Sequence, residues 1–229
     1  MKQFDVREHF KKWPKFYFFV ANVIGPILPT GLGGNNFLHK YKREGKTLNL
    51  GSGPRVLSDP EVINVDLTAY ESVDIVADVL SVPLPDASIA RIVSDNVLEH
   101  VKDPAKAVKE MHRLLEPGGL MYVAIPFMYP FHSSPSDYQR WTDRGLRELF
   151  SEFEIIEQGI RGGPFSALNT YVCHLTGIMF SFGIPFLYSI LVNMAMFIFW
   201  PIKLLDIVFA HVPNAADVSA VLYIVVKKQ

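Results

Sequence analysis

Two glycines and an aspartate are spaced as in a nucleotide-binding site. Gly51 and Gly53 follow a short apolar run, and Asp66 directly follows the next run, residues 62–65. A glycine turn lets the backbone approach a nucleotide closely, and an acidic residue that ends the second strand can accept hydrogen bonds from ribose hydroxyls. Because glycines are common in turns, this pattern gains its weight from the motifs that follow it.

The residues after the turn argue against a dinucleotide cofactor. A dinucleotide fingerprint requires a third glycine at the start of a long helix. Here Pro54 and Arg55 follow the second glycine, and Val56 stands where the third would be. Only about ten residues separate the turn from the second strand, so the first crossover helix must be short or distorted. NAD is therefore disfavoured.

A second group of reactive side chains lies in the segment 131–142. In an open α/β sheet the substrate binds beyond the carboxyl ends of the strands, where this segment is expected. His132 is a candidate general base, and Asp137 could orient it or replace it. The alternative is structural: Arg140 could contact Asp137 and pin the segment to the following helix.

Glu99 and His100 are adjacent and follow the predicted fourth strand. His100 is the third candidate catalytic residue. Both residue types can also hold a divalent metal, but the sequence shows no clear third ligand beside them. No metal site is therefore expected.

The elements that must position these residues follow the pattern of a parallel sheet with crossover helices. Helices are predicted over 103–115 and 143–150, the first with Pro104 in its first turn and the second with Thr142 as its N-cap. Pro117 and the two glycines after it should stop the first helix. The predicted strands cover residues 47–50, 62–65, 73–77, 89–94, 120–125, 153–157 and 218–226.

In its motifs the chain resembles the class I S-adenosylmethionine-dependent methyltransferases, in particular their type 11 group. The five matching motifs occur in the family's order between Thr47 and about Phe127. They are Leu48–Gly53, Ile63–Asp66, Ala77–Val79 before Pro83–Asp86, Val97–Val101 and Leu115–Gly119. The resemblance implies an α/β fold with a Rossmann-like, seven-stranded sheet whose last strand is antiparallel.

The resemblance also implies S-adenosylmethionine as the cofactor and assigns contacts to it by position. The glycine turn would border the methionine part, Asp66 the ribose, and Asp78 with Val79 the adenine, while Ser94 to Asn96 would flank the sulfonium. The predicted cofactor-binding residues are Asn49, Gly51, Ser52, Gly53, Asp66, Leu67, Asp78, Val79 and Asn96.

The chain departs from the common family form at two positions. Asn49 stands where an acidic residue is usual, and Arg55 stands where a third glycine is usual. Asparagine can still accept a hydrogen bond from the cofactor's amino group, but it lacks the charge. These departures keep open the alternative that the protein is a binding or scaffold protein without catalytic activity.

Composition limits the class of protein and its partners. A chain of 229 residues favours one domain with an elaboration, and a net charge of -1 offers no global attraction to nucleic acid. The single cysteine, Cys173, fits a reducing compartment. A cytoplasmic protein without a nucleic-acid partner is expected.

An uncharged tract separates the last two predicted strands. No Asp, Glu, Lys or Arg occurs between Arg161 and Lys203, in a connection of about sixty residues where a hairpin needs only ~2–5. Because both flanking strands belong to one sheet, a membrane-inserted segment must return to the side it left. Pro185 divides the tract, and the apolar run 176–184 before it is too short to span a bilayer.

These features predict an in-plane or re-entrant helical hairpin with Tyr188, Trp200 and Lys203 near the membrane interface. An apolar lid or a homodimer surface is the alternative. The predicted division is an apolar extension over 1–46, a catalytic domain over 47–160 and 213–229, and the insert over 161–212.

In the extension at the amino terminus, Lys11, Lys12, Trp13 and Lys15 come shortly before or next to the apolar residues 16–20. Asp5 and Glu8 occupy the place of the basic region of a signal peptide, so a cleaved signal is disfavoured. A segment lying at the membrane interface is expected, with a helix packed on the domain as the alternative.

Together these features predict a methyltransferase that acts at the inner face of a membrane. Its acceptor would be a lipid-linked glycan or another amphipathic small molecule, methylated on oxygen. The alternatives are the scaffold protein named above and a soluble small-molecule methyltransferase whose insert forms a homodimer.

Overall fold

The computed structural model describes residues 23–55, 57–59, 61–132 and 136–229. They form two compact units. The sheet unit comprises 31–127, 131–161 and 221–229, and the hairpin unit comprises 128–130, 162–220 and the described residues up to Thr30. Residues 1–22 of the extension predicted over 1–46, with the segment expected at the membrane interface, lie outside the described residues, and the remainder from Gly31 onward belongs to the sheet unit.

The sheet unit contains one sheet of seven strands in the order β3-β2-β1-β4-β5-β7-β6. Strands β1, β2, β3, β4 and β5 are parallel to their neighbours within this set, and β7 is antiparallel to β5. The predicted α/β fold with an antiparallel last strand is confirmed. The strands are β1 Thr47–Leu50, β2 Val62–Asp66, β3 Ile75–Val76, β4 Ile89–Asp95, β5 Leu115–Pro126, β6 Glu154–Gly162 and β7 Val221–Lys227.

Three helices belong to the sheet unit: α1 Gly34–Lys40, α2 Pro104–Leu114 and α3 Asp143–Leu149. The Asp103 carboxylate accepts a hydrogen bond from the Lys106 amide at 3.0 Å and so caps α2. The Thr142 hydroxyl caps α3 in the same way, at 3.2 Å from the Gly145 amide. Both predicted helices are present because local capping and an apolar face agree.

Four strands differ from the sequence prediction by more than one residue: β3, β5, β6, which extends to Gly162, and β7, which begins at Val221. Strand β5 begins at Leu115, before the glycines that were expected only to end α2, and its pairing with β4 shifts between Ile89 and Arg91. Strand β3 has only two residues. The Asp74 carboxylate accepts the hydrogen bond of the Asn64 amide at 2.8 Å, in the place where a longer strand would provide a backbone carbonyl as the acceptor. Side-chain hydrogen bonds and bulges of this kind leave no periodic signal.

The hairpin unit contains two long helices, α4 Pro164–Phe180 and α5 Pro185–Phe199. Helix α4 begins well before the predicted apolar run because its polar residues fit inside a helix. The hydroxyls of Thr170 and Thr176 each donate to the carbonyl four residues earlier, both at 2.8 Å. The two helices approach closely at Gly177, where an added Cβ would lie 2.6 Å from a Val192 methyl carbon.

The two ends of the hairpin meet at Asp206. A 3₁₀ turn, Trp200–Leu205, leads from α5 into α6, Asp206–Phe209. The fully buried Asp206 carboxylate accepts the amides of Phe165 at 2.8 Å and Ser166 at 2.7 Å, at the start of α4. The chain therefore returns to the place where it entered the hairpin.

The sequence had suggested that Lys203 lies near the membrane interface, but in the structure it does not. Its side chain is buried, and Nζ donates to the Gly25 carbonyl at 2.6 Å. A long lysine side chain in an apolar tract can reach a backbone carbonyl from inside a packed unit. The charge belongs to the base of the hairpin.

The outer surface of the hairpin is apolar. Among the described residues, one helical stretch is long and apolar enough to cross a membrane. It is Pro185–Phe209, which joins α5, the 3₁₀ turn and α6, and 22% of its most apolar window is buried. Phe182, in the turn between α4 and α5, is 86% exposed, and it has a left-handed backbone with φ 50. Other exposed apolar side chains on the two helices are Leu175, Ile178, Met179, Phe180, Phe186, Met194, Phe197 and Ile198.

Candidate active site

The glycine turn is fixed to the carboxyl end of β2. The amides of Gly51 and Ser52 donate to the Val65 carbonyl at 2.8 and 3.1 Å. The Gly53 amide donates to Asp66 Oδ2 at 2.8 Å. Both glycines have left-handed backbones, with φ +65 at Gly51 and φ +55 at Gly53. The predicted turn and the predicted acidic residue are therefore held together in one site.

Gly51 also brings the turn against the segment that follows β4. An added Cβ at Gly51 would lie 2.4 Å from Val97 Cγ2, a distance that side-chain carbons do not tolerate. A Cβ at Gly53 would meet no atom within 4 Å, so open space adjoins this side of the turn. The first glycine is required by packing, and the second leaves room for a ligand.

Gly51→Ala is therefore expected to destabilise the protein more than Gly53→Ala. A left-handed alanine costs ~1–2 kcal/mol at either position, and only Gly51 adds the collision with Val97. Urea unfolding of both variants should give the larger loss for Gly51→Ala, by about 1–3 kcal/mol. The second change Val97→Ala should recover part of that difference, and an equal loss at both glycines would contradict the packing argument.

Asp66 and Leu67, at the carboxyl end of β2, are suited to contact a ligand. Asp66 Oδ1 accepts the Thr68 amide at 2.8 Å, so each carboxylate oxygen already holds backbone but keeps further acceptor capacity. Leu67 is 64% exposed although it is a large apolar residue next to the turn. These residues could hold the ribose of a nucleotide and cover one of its apolar faces.

Asp78 and Val79 lie in a tight turn after β3. Asp78 Oδ1 accepts the Leu80 amide at 2.9 Å, which fixes the backbone of this turn. The Val79 side chain is buried. Their predicted contact with an adenine would be made through the exposed side of this turn.

Asn49 has a structural bond in the buried core. Its Nδ2 donates to Asn64 Oδ1 at 2.9 Å and to the Arg55 carbonyl at 3.5 Å, and Ser52 beside it is also buried. The asparagine therefore ties the glycine turn to β2. Its predicted contact with the cofactor's amino group stays a prediction.

Asn96 lies after β4 with a left-handed backbone, φ 58. Its Nδ2 donates to Asp95 Oδ1 at 2.9 Å, and Arg55 Nη1 contacts the other Asp95 oxygen at 2.8 Å. Arg55, the unusual residue in the turn, thus pairs with an acidic residue at the end of the neighbouring strand. The departure from the common motif has a compensating partner.

The three predicted catalytic residues lie together in the sheet unit. The rings of His100 and His132 are 5.0 Å apart between centroids and nearly perpendicular. Asp137 Oδ2 lies 3.4 Å from His132 Nδ1. Residues distant in sequence are thus gathered beyond the ends of β4 and β5.

Asp137 is mainly a positioning group for this loop. Its buried carboxylate pairs with the Arg140 guanidinium through both oxygens and accepts the His132 amide at 2.9 Å. Burial raises the pKa of Asp137, but these hydrogen bonds lower it by more, so the net pKa lies below its ordinary value. The predicted Arg140–Asp137 contact is confirmed, and the carboxylate is a weak proton acceptor.

Glu99 was weighed from the sequence only as a possible metal ligand and received no role, but the structure places it at the centre of this cluster. It is fully buried, and neither carboxylate oxygen has a hydrogen-bond partner among the described residues. Its Oε1 lies 3.6 Å from His100 Nε2 and 3.6 Å from His132 Nε2. An acidic residue between Leu98 and His100 in an apolar run is the signal that marks it.

Known proteins resemble this chain in the strands and the helix that follow the glycine turn. Residues 55–123 match a family model described as a methyltransferase domain. A curated protein of Mycolicibacterium smegmatis, named as an S-adenosylmethionine-dependent methyltransferase, is 43% identical over 58 residues. For residues 55–123, which are less than half of the chain, this match confirms the resemblance to the type 11 methyltransferases that the motifs predicted.

The aligned segment covers 25% of this chain and 23% of the Mycolicibacterium smegmatis protein. The cofactor predicted from the motifs agrees with the name of that relative. The similarity therefore supports the domain and its cofactor, and it leaves the rest of the chain unmatched.

Solved structures share the fold across almost the whole chain. One is a Haemonchus contortus phosphoethanolamine N-methyltransferase in complex with S-adenosyl-L-methionine, with a TM-score of 0.52, 18% identity, and coverage of 97% of this chain and 59% of that chain. Another is a Burkholderia thailandensis 1,6-didemethyltoxoflavin-N1-methyltransferase, with a TM-score of 0.52, 13% identity, and coverage of 98% and 87%. At these identities the similarity shows the methyltransferase fold alone.

Proposed function

We propose that the protein is an S-adenosylmethionine-dependent methyltransferase that acts on an oxygen of an amphipathic, membrane-held acceptor. The observation that carries the proposal is the contact of Gly51 with Val97. It sets the cofactor turn directly beside the segment that carries Glu99 and His100. A methyl donor held at the turn would therefore lie next to the side chains that can handle a proton.

When bound, S-adenosylmethionine supplies the methyl group: its S–CH3 bond breaks as the acceptor O–CH3 bond forms, and the acceptor's proton leaves. The open side of Gly53, the Asp66 carboxylate and the exposed Leu67 are the groups that would hold this cofactor. Alignment and exclusion of water supply much of the rate of such a displacement.

An oxygen acceptor is favoured because the site contains a proton-accepting cluster. A base is needed only when the acceptor carries a proton that must leave, as a hydroxyl does. The imidazoles of His100 and His132 each lie 3.6 Å from the Glu99 carboxylate, which would stabilise a ring that has taken up the acceptor's proton. Asp137 and Arg140 hold the His132 backbone in place for this role.

The acceptor class is inferred from the hairpin unit. The tract 162–202 has no Asp, Glu, Lys or Arg, and its helices expose large apolar side chains along their length. Phe182 adopts a left-handed backbone conformation, which is unfavourable for a bulky residue, and its side chain is almost fully exposed. A surface of this kind is expected to be covered by an apolar environment.

A lipid bilayer is the favoured cover for this hairpin. One leaflet provides about 15 Å of hydrocarbon, and the 17 residues of α4 extend roughly 25 Å, so the tip can enter one leaflet without crossing the membrane. The return of the chain at Asp206 fits such a monotopic hairpin. A lipid-linked glycan at the cytoplasmic face is the acceptor that best combines a hydroxyl with a membrane anchor.

The test is incubation of the protein with methyl-labelled S-adenosylmethionine and with separate lipid and soluble extracts. Label is expected in the lipid extract, sensitive to mild acid hydrolysis that frees the headgroup. His132→Asn removes the proposed base at a partly exposed side chain, so it should lose label transfer while it still binds S-adenosylmethionine in a parallel titration. Label only in the soluble extract would favour a small-molecule methyltransferase, and no transfer with intact cofactor binding would favour a scaffold protein.

A further inference from the structure

We propose that Glu99, His100 and His132 form a binding site for one zinc-type divalent metal ion. Each of the three residues offers one ligand atom, and these atoms all lie within 4.8 Å of one another. The sequence predicted no metal because it showed no third ligand beside Glu99 and His100. The fold supplies that ligand from the loop after β5.

The ligand atoms are arranged around one point. Both histidines direct Nε2 to the same carboxylate oxygen of Glu99, each at 3.6 Å. Two ligands of a tetrahedral zinc, each ~2.0–2.2 Å from the ion, are separated by roughly 3.3–3.5 Å. The observed separations thus need only small movements to close around an ion.

The second nitrogen of each ring is matched to an oxygen, which is the usual support of a metal-binding histidine. His100 Nδ1 is hydrogen-bonded to the Ser136 carbonyl. His132 Nδ1 lies 3.4 Å from the Asp137 carboxylate and 3.5 Å from Arg140 Nη2. The His132 tautomer that fits a metal carries its proton on Nδ1, directed to Asp137, and keeps the lone pair on Nε2, the atom that faces Glu99.

Glu99 supplies the independent observation for a ligand. Its side chain is 0% exposed, and neither carboxylate oxygen has a hydrogen-bond partner among the described residues. Burial of an unpaired carboxylate is costly, and buried charges are normally paired or coordinate metals. A cation between Glu99 and the two imidazoles removes that cost.

The donor set selects the class of metal. Two imidazoles favour zinc and its transition-metal neighbours, whereas magnesium prefers oxygen ligands and retains its water. Two histidines and one glutamate also form the ligand set of catalytic zinc sites that keep an open fourth position. The partial exposure of His132, 28% of its side chain, leaves one side accessible to a small molecule.

The use of this metal rests on the proposed function. An acceptor hydroxyl at the open position would be polarised by the ion, and its proton would pass to solvent as the O–CH3 bond forms and the S–CH3 bond of the donor breaks. His132 would then act as a metal ligand rather than as the base. The metal site itself stands on the geometry of the cluster.

Zinc binding can be measured without methyl transfer. The full-length protein without a histidine tag is treated with a chelator, dialysed and titrated with Zn²⁺, with Co²⁺ as a spectroscopic probe and Mg²⁺ for comparison. One Zn²⁺ per chain is expected, with a Co²⁺ spectrum typical of four or five ligands. Glu99→Gln and His132→Asn should each weaken zinc by more than the ~10–100-fold that loss of an outer-shell partner costs.

His39→Asn, at an exposed histidine of α1, is the matched control and should leave zinc binding unchanged. Thermal unfolding of each variant checks the fold, and His132→Asn keeps the test valid if Glu99→Gln fails to fold. Absence of stoichiometric zinc, or unchanged affinity in His132→Asn, would overturn the metal site. A parallel titration with S-adenosylmethionine separates the metal site from the proposed methyltransferase function. Zinc can bind to a protein that does not bind the cofactor, and the cofactor can bind to a protein that does not bind zinc.

Discussion

Asp66→Ala is expected to weaken the binding of S-adenosylmethionine about 100-fold. The substitution removes the carboxylate that would accept the ribose hydroxyls, and hydrogen bonds to a charged group contribute ~1.5–3 kcal/mol each. It also removes the acceptor of the Gly53 amide at 2.8 Å, so the glycine turn loses one of its hydrogen bonds to β2. Two effects on one ligand account for the size of the loss.

Isothermal titration of S-adenosylmethionine and S-adenosylhomocysteine measures this change directly. Asp66→Asn should recover part of the affinity because the amide keeps one oxygen acceptor. Asp86→Ala is the matched control, since that carboxylate is exposed and pairs with Arg113 in the same unit. An unchanged affinity in Asp66→Ala would remove the cofactor assignment for the turn.

The parts of the fold that the sequence predicted correctly are those in which local signals agree. Helix α2 has a capping aspartate, a proline in its first turn and an apolar face, and the structure forms it over Pro104–Leu114. Strands β1 and β4 are short apolar runs that become central, buried strands. Pattern and propensity point to the same element in each case.

The errors arise where a distant side chain replaces a backbone partner. The Asp74 carboxylate shortens β3, and the Asp206 carboxylate caps α4 from 40 residues away. Lys203 donates from the interior to the carbonyl of residue 25. None of these contacts has a spacing that can be seen in a linear sequence.

The candidate site shows the same division. The glycine turn and Asp66 are neighbours in a known order of strands, so their contact could be predicted. The approach of His132 to Glu99 depends on the path of an irregular loop, which the sequence does not specify. The unpaired carboxylate of Glu99 becomes informative only when its burial is known.

The hairpin tip is expected to control membrane binding. The triple variant Phe182→Ser, Ile184→Ser and Phe186→Ser removes three apolar side chains that are 86%, 52% and 59% exposed. Full burial of one such side chain contributes ~1.5–3 kcal/mol. If the membrane buries each of the three by about half, the variant loses roughly 3 kcal/mol of membrane-binding free energy. The partition coefficient onto vesicles should therefore fall about 100-fold.

Sedimentation with neutral phosphatidylcholine vesicles measures this effect. Because the tract from Gly162 to Ile202 has no charged side chain, binding should depend little on salt or on anionic lipid. Ile156→Ser, at a 39% exposed apolar residue of β6, is the matched control and should leave sedimentation unchanged. Full retention of the triple variant on vesicles would refute the membrane assignment. A wild-type dimer in solution that the triple variant dissociates would instead assign the hairpin to a contact between two copies of the chain.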